Sequence, residues 1–217
     1  MFSISVGHLE FLLQGALWTI VLSGLSFLCG GVLGGVVALA RVSPLAWVRT
    51  VALVYVQAIQ GTPLLIILFL IYFGLPAVAV EVSSLAAAVV SMTVYVGAYL
   101  GEIWRGAIQS VPKAQWEAAE CLALSRVQRM ESVILPQAVK IATPPTVGFL
   151  VQIVKNTSLV SVVGFVELSR AAQLINNSIF EPFSVYMIVA TLYFLLCFPL
   201  SWWSRRLERN VGYAVAK

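Results

Sequence analysis

The chain has 217 residues, 60% of them hydrophobic and only 10% charged, where an ordinary soluble domain carries roughly 25% charged residues. With a mean hydropathy of +0.96, this composition excludes a typical water-soluble domain and describes an integral membrane protein. All nine acidic residues are Glu, which leaves no paired-Asp catalytic site and no obvious carboxylate cluster for a metal. The thirteen Lys and Arg raise the pI to about 9.1 but form no aromatic-interleaved patch of the kind that binds nucleic acid.

Charge-free runs mark the membrane spans in chain order, because a helix needs roughly 20 apolar residues to cross the hydrocarbon core. Residues 11–40 lie between Glu10 and Arg41, residues 50–80 between Arg49 and Glu81, residues 82–101 before Glu102, and residues 182–204 between Glu181 and Arg205. A further stretch, residues 141–166, is interrupted by one charge, Lys155. The expectation is a single all-α integral membrane domain over residues 1–217 with five spans, at about 11–40, 50–78, 83–106, 141–165 and 183–204. The first ten residues lack the basic stretch of a cleavable signal peptide, so the first span is expected to stay in the mature protein. Cys29, Cys121 and Cys197 are far apart in sequence, and no disulfide framework is expected.

Several local features can be placed on these spans. Gly30/Gly34 and Gly31/Gly35 form overlapping small-xxx-small patterns in the first, and Gly97/Gly101 one in the third, each allowing close helix approach. Gly61-Thr62-Pro63 predicts a break in the second span, because Pro lacks an N–H and clashes with the preceding turn. Trp202 and Trp203 beside Arg205 and Arg206 predict an interfacial anchor at the inner end of the last. His8 reads as an outer-surface residue without catalytic work.

Cations set the orientation, since they concentrate on the cytoplasmic side. With the N-terminus outside and the C-terminus inside, eleven of the thirteen fall on inner segments, leaving Arg170 outside and Lys155 within a span. The one sizeable water-exposed element is then residues 109–140. Its KAQWEAAECL run (residues 113–122) favours helix, Pro112 suits a first turn, and Ser125 with Gln128 forms a capping box opening a second short helix. The expected element is two short helices turning at Ala123-Leu124, the second ended by Pro136. Composition leaves two readings of it: a docking hairpin for a cytoplasmic partner, or an amphipathic hairpin on the lipid surface with Trp116 at the interface.

Glu117-Ala118-Ala119, Ala123, Val133 and Leu135-Pro136 resemble, at every spacing, the EAA loop of ABC importer permeases. Ala123 stands at the family's Gly and Val133 at its Ile. Gln60-Gly61-Thr62-Pro63-Leu64-Leu65 resembles the RGTPLL segment of the polar amino acid uptake subfamily, residues 98–108 (AYLGEIWRGAI) its AYxxEIxRGAI stretch, and Lys155-Asn156-Thr157-Ser158-Leu159 its KDTSL stretch. The resemblance covers nearly the whole chain. It implies a type I ABC importer-like permease of the bacterial inner membrane. Its implied partners are a second permease copy or paralogue, two ABC ATPase subunits, an external amino-acid-binding protein and the lipid bilayer. The chain has no G-x-x-x-x-G-K-[ST] motif, so it is expected to be non-catalytic and free of cofactor, with ATP and Mg on the ATPase subunits. The residues expected to dock them are Glu117, Ala118, Ala119, Ala123, Leu124 and Arg126.

For the substrate path the candidates are Lys155, Asn156, Thr157, Thr62, Tyr99 and Glu102. A Lys at mid-bilayer costs about 2.5–3.5 kcal/mol on insertion scales, so Lys155 is expected to meet a substrate carboxylate or to snorkel or pair with a Glu. Glu102 and Arg105, three apart, suit a local ion pair; alternatively Glu102 meets a substrate ammonium group. Gln60 and Asn156 replace the subfamily's Arg and Asp with neutral amides, which leaves the substrate's charge open. The alternatives from other classes are a stand-alone secondary transporter or channel, disfavoured by an odd span count without an even inverted repeat, and a membrane scaffold.

Overall fold

A computed structural model describes residues 4–215. Among them the chain is helical and without strands: α1 (Val6–Arg41), α2 (Ala46–Gln60), α3 (Leu64–Gly74), α4 (Ser84–Gln109), α5 (Lys113–Cys121), α6 (Arg126–Arg129), α7 (Leu135–Asn156), α8 (Leu168–Ile179) and α9 (Pro182–Val215). Four helical stretches are long and apolar enough to cross a membrane, or five spans if one bent pair counts as one.

The local chemistry explains where the helices begin and break. Ser5 caps α1: its hydroxyl accepts the His8 N–H at 3.4 Å, and His8 Nδ1 accepts the Ser5 N–H at 3.2 Å, so His8 is part of a helix start. Between α2 and α3 the chain does break at Gly61-Thr62-Pro63. Thr62 Oγ1 donates to the Ala58 carbonyl at 2.8 Å, satisfying a group the broken helix would leave bare. The axes of α2 and α3 then diverge by 98°, so the break in this segment is a sharp fold.

Pro136 does not end a helix. From α6 the backbone widens into a π-turn over Met130–Ile134, closed by the Leu135 N–H on the Met130 carbonyl, and runs straight into α7. Widening the coil by one residue accommodates the proline, which has no N–H and would crowd the carbonyl four residues back. Arg126–Val163 is therefore one continuous helical stretch of 38 residues, with Pro144 and Pro145 also inside it.

The core is built on α1 against α4. A Cβ on Gly30 would lie 2.4 Å from Val96 Cγ1, one on Gly97 2.7 Å from the Leu33 side chain, one on Gly34 2.9 Å from Leu100 Cβ, and one on Gly101 2.5 Å from Val37 Cγ1. Each glycine is thus the seat for a large aliphatic residue of the opposite helix. Gly31 and Gly35 look instead at the Trp104 ring, at ordinary contact distances of 3.8 and 3.6 Å, so only one of the two overlapping patterns makes the helix crossing. A second core joins α8 to α1 and α9 through Leu168, Ala171, Ile175, Leu12, Val185 and Val189.

Candidate functional site

The hairpin between α4 and α7 begins with α5, whose end is fixed by two reversed bonds. The Ala123 N–H donates to the Glu120 carbonyl at 2.9 Å and the Leu124 N–H to the Ala119 carbonyl at 3.3 Å, the paired pattern of a Schellman ending. Ala123 takes φ +54°, the left-handed conformation that glycine adopts freely. The substitution of Ala for Gly therefore preserves the turn, at a cost of about 1 kcal/mol. The capping box at Ser125 and Gln128 forms, with bonds of 2.9 and 3.3 Å, and starts the second arm. Arg129 pairs with Glu120 at 3.3 Å and Gln137 donates to Gln115 at 3.3 Å, tying the two arms together.

Of the residues expected to dock a partner, Glu117, Ala118, Ala123 and Arg126 are exposed and Leu124 is half-buried. Ala119 is 3% exposed, so it seats α5 inside the hairpin and does not face outward. The sequence reading missed Leu122 and Val127, 74% and 63% exposed, which flank the turn as an apolar tip. Two large aliphatic residues bracketing a turn in an otherwise charged segment were the signal available.

The candidate path residues fall into three groups. Asn156 faces α4, beside the Tyr95 hydroxyl, and its side-chain Oδ1 accepts the Gln152 Nε2–H at 3.0 Å. There Tyr95, Tyr99 and Phe149 form an aromatic ledge, with ring centroids 4.5 Å apart for the two tyrosines and 5.3 Å for Tyr99 and Phe149. Lys155, one residue earlier and therefore about 100° around the helix, is exposed on a different side of α7. It lines a groove of about 360 Å³ against α9, with Tyr193, Cys197, Ser201 and Arg205 among its walls. Thr157 is buried with its hydroxyl on the Val154 carbonyl at 2.8 Å, and Thr62 stays at the break between α2 and α3.

Glu102 stands apart from these. Its Oε1 accepts Arg41 Nε at 2.8 Å and its Oε2 accepts Arg105 Nε at 2.8 Å, and the carboxylate is 21% exposed. The i,i+3 pair with Arg105 exists, joined by an arginine 61 residues away in sequence. With both oxygens held by guanidinium groups, Glu102 clamps the adjoining ends of α1 and α4, the ion-pair reading extended by a second arginine.

A second carboxylate escaped the sequence reading. Glu167 is fully buried, capping α8 by accepting the Ser169 and Arg170 N–H groups, both at 2.9 Å, and receiving the Tyr193 hydroxyl at 3.0 Å. Beside it Thr19 Oγ1 accepts the Leu168 N–H at 3.3 Å, so α1, α8 and α9 meet around one carboxylate. In sequence Glu167 looked like an ordinary charge at the end of a span; the clue was an acidic residue directly before the helical run Leu168-Ser169-Arg170.

A helical bundle with polar side chains inside its spans and a rigid hairpin continuous with one of them defines an integral membrane permease subunit. Residues 30–213 match the family described as binding-protein-dependent transport system inner membrane component, and the chain belongs to that family. It is 40% identical to the L-cystine transport system permease protein TcyB of Bacillus subtilis, over 94% of this chain and 87% of the relative. It is 35% identical to the protein named "Probable amino-acid ABC transporter permease protein YckA" of the same organism, over 98% and 94%. A crystal structure of an amino acid ABC transporter with histidines superposes with a TM-score of 0.90 at 31% identity, covering 96% of this chain and all of the other. The inward-facing MetNI methionine ABC transporter, at 22% identity and a TM-score of 0.81 over 96% and 99%, shares the fold. Family membership removes the stand-alone transporter and scaffold alternatives.

Proposed function

We propose that the chain forms the translocation path of an ATP-driven importer of polar amino acids in the bacterial inner membrane. It works as a pair with a second permease copy or paralogue, over two ATPase subunits that hold ATP and Mg, and receives substrate from an external binding protein. The amino-acid character is supported by the names of the relatives. The bent pair α2–α3 counts as one of five spans, and the cation distribution supports the N-terminus outside and the C-terminus inside.

One observation carries the coupling mechanism. The second arm of the hairpin and the polar segment of α7 lie on the same continuous helical stretch, Arg126–Val163. The distance from Arg126 to Asn156 along it is about 45 Å at 1.5 Å per residue. Glu117, Ala118, Ala123, Leu124 and Arg126, with Leu122 and Val127 at the tip, dock the ATPase subunit. Closure of the ATPase pair pushes the hairpin, and the continuous helix carries that displacement to Lys155 and Asn156. Asn156 and Tyr99, together with Thr62 at the break, offer hydroxyls and an amide to substrate, Thr157 shapes the backbone there, and Lys155, turned toward α9, offers a cation to an α-carboxylate on that side. Glu102 contributes by holding α1 to α4 below the path.

The test is Glu117→Lys, with ATPase-subunit co-purification and amino acid uptake measured in membrane vesicles. Charge reversal on the exposed face abolishes uptake and weakens association at least tenfold; normal assembly and uptake would sink the coupling role.

A further inference from the structure

Between α1, α4 and α7 a groove of about 390 Å³ opens on the flank of the bundle. Gly35 and Ala38 form one wall, Ala138 and Ala142 the other, and Trp104 and Ile108 the floor. Its polar side chains are already engaged. Thr143 Oγ1 donates to the Val139 carbonyl and Thr146 Oγ1 to the Ala142 carbonyl, each at 2.7 Å, while Thr146 Oγ1 accepts the Trp104 indole N–H at 2.9 Å. A water there would find none of the partners it needs, and a polar amino acid would find nothing to bind. The surface is suited to hydrocarbon.

Its dimensions select among hydrocarbons. The lining runs along α7 from Leu135 to Val147, about 18 Å at the helical rise and slightly more than half of the roughly 30 Å hydrocarbon thickness. It starts beside the hairpin, so it lies in the inner leaflet. A groove of this volume spread over that length is a narrow trough, wide enough for an extended hydrocarbon chain, about 4–5 Å across at van der Waals contact, and narrower than a whole helix of about 10–12 Å. The charge around it is positive. Lys140 is exposed on the flank and has no acidic partner among the described residues, and one turn beyond Ala38 the two arginines Arg41 and Arg105 share the single carboxylate of Glu102.

We propose that this groove binds one acyl chain of an anionic inner-leaflet phospholipid, with its headgroup phosphate toward the hairpin end, beside Arg41 and on the side to which Lys140 can snorkel. The probe is phosphatidylglycerol carrying a diazirine in its acyl chain, reconstituted with the assembled wild-type transporter, with the labelled peptides mapped by mass spectrometry. Label is expected to concentrate on residues 35–39 and 138–147, above its density on the rest of the belt. Gly35→Leu fills the groove from a position whose Cβ would meet only the Trp104 ring, at 3.6 Å, and is expected to cut that labelling at least tenfold. Gly24→Leu, where a Cβ meets nothing within 4 Å, leaves it unchanged. Lys140→Gln is expected to reduce the preference for phosphatidylglycerol over phosphatidylcholine about fivefold, as for loss of one cation near the membrane surface. Uniform labelling of the belt, equal labelling by phosphatidylcholine in the wild type, or a disulfide between Thr143→Cys and the second permease would overturn the proposal. Should Gly35→Leu fail to assemble, the wild-type map and the Lys140→Gln ratio decide it.

Discussion

Gly30→Ala adds one methyl group at the closest point of the α1–α4 crossing, 2.4 Å from Val96 Cγ1 and 2.5 Å from Val96 Cβ. Relief needs about 1 Å of separation to regain van der Waals distance. Valine in a helix holds essentially one χ1 rotamer, so Val96 cannot swing aside and the helices themselves must part. Parting them also loosens Leu33 on Gly97, Leu100 on Gly34 and Val37 on Gly101, and overpacking of this kind costs about 1–3 kcal/mol. For a chain of this size that corresponds to a fall in Tm of roughly 2–12 °C. The paired control is Gly31→Ala, whose Cβ meets Trp104 at 3.8 Å and which gains helix propensity of up to about 1 kcal/mol; it should be neutral or stabilising. Thermal unfolding of the two detergent-solubilised variants, followed by size-exclusion chromatography, separates them. If Gly31→Ala falls as far as Gly30→Ala, or Gly30→Ala melts with wild type, the assignment of the crossing face is wrong.

Ala123→Gly removes the left-handed strain at the hairpin turn and should stabilise the protein by about 1 kcal/mol, whereas Ala123→Val should destabilise it; hydrogen exchange of the α5 amides reports both. Glu102→Gln leaves two half-buried guanidinium groups short of their carboxylate and should cost roughly 1–3 kcal/mol. A double-mutant cycle with Arg41→Gln should show clear coupling, and additive losses would mean that the clamp contributes nothing. Tyr193→Phe deprives buried Glu167 of its hydroxyl donor and should lower stability by about 1–3 kcal/mol with the chain still assembling, measured as a shift in Tm.

The sequence by itself determined what depends on neighbours along the chain. The membrane class came from uncharged runs, the break at Gly61-Thr62-Pro63 from a missing N–H, and the capping box at Ser125 from a spacing of three residues. The hairpin turn belongs here too, because a left-handed residue is required wherever α5 ends in that bond pattern, whichever small residue occupies it. Helix rotation was beyond its reach. Successive residues stand about 100° apart, so only packing decides that Gly30 and Gly34 seat Val96 and Leu100 at the crossing while Gly31 and Gly35 face the Trp104 ring, or that Lys155 turns to α9 while Asn156 turns to α4. Pairings across long separations, such as Arg41 with Glu102 and Thr19 with the start of α8, likewise exist only once the spans are assembled. The continuity of α6 with α7 past Pro136 was decided at the same level. A proline's local rule predicts a stop, and a single widened turn, held between the hairpin and the bundle, lets the helix run on.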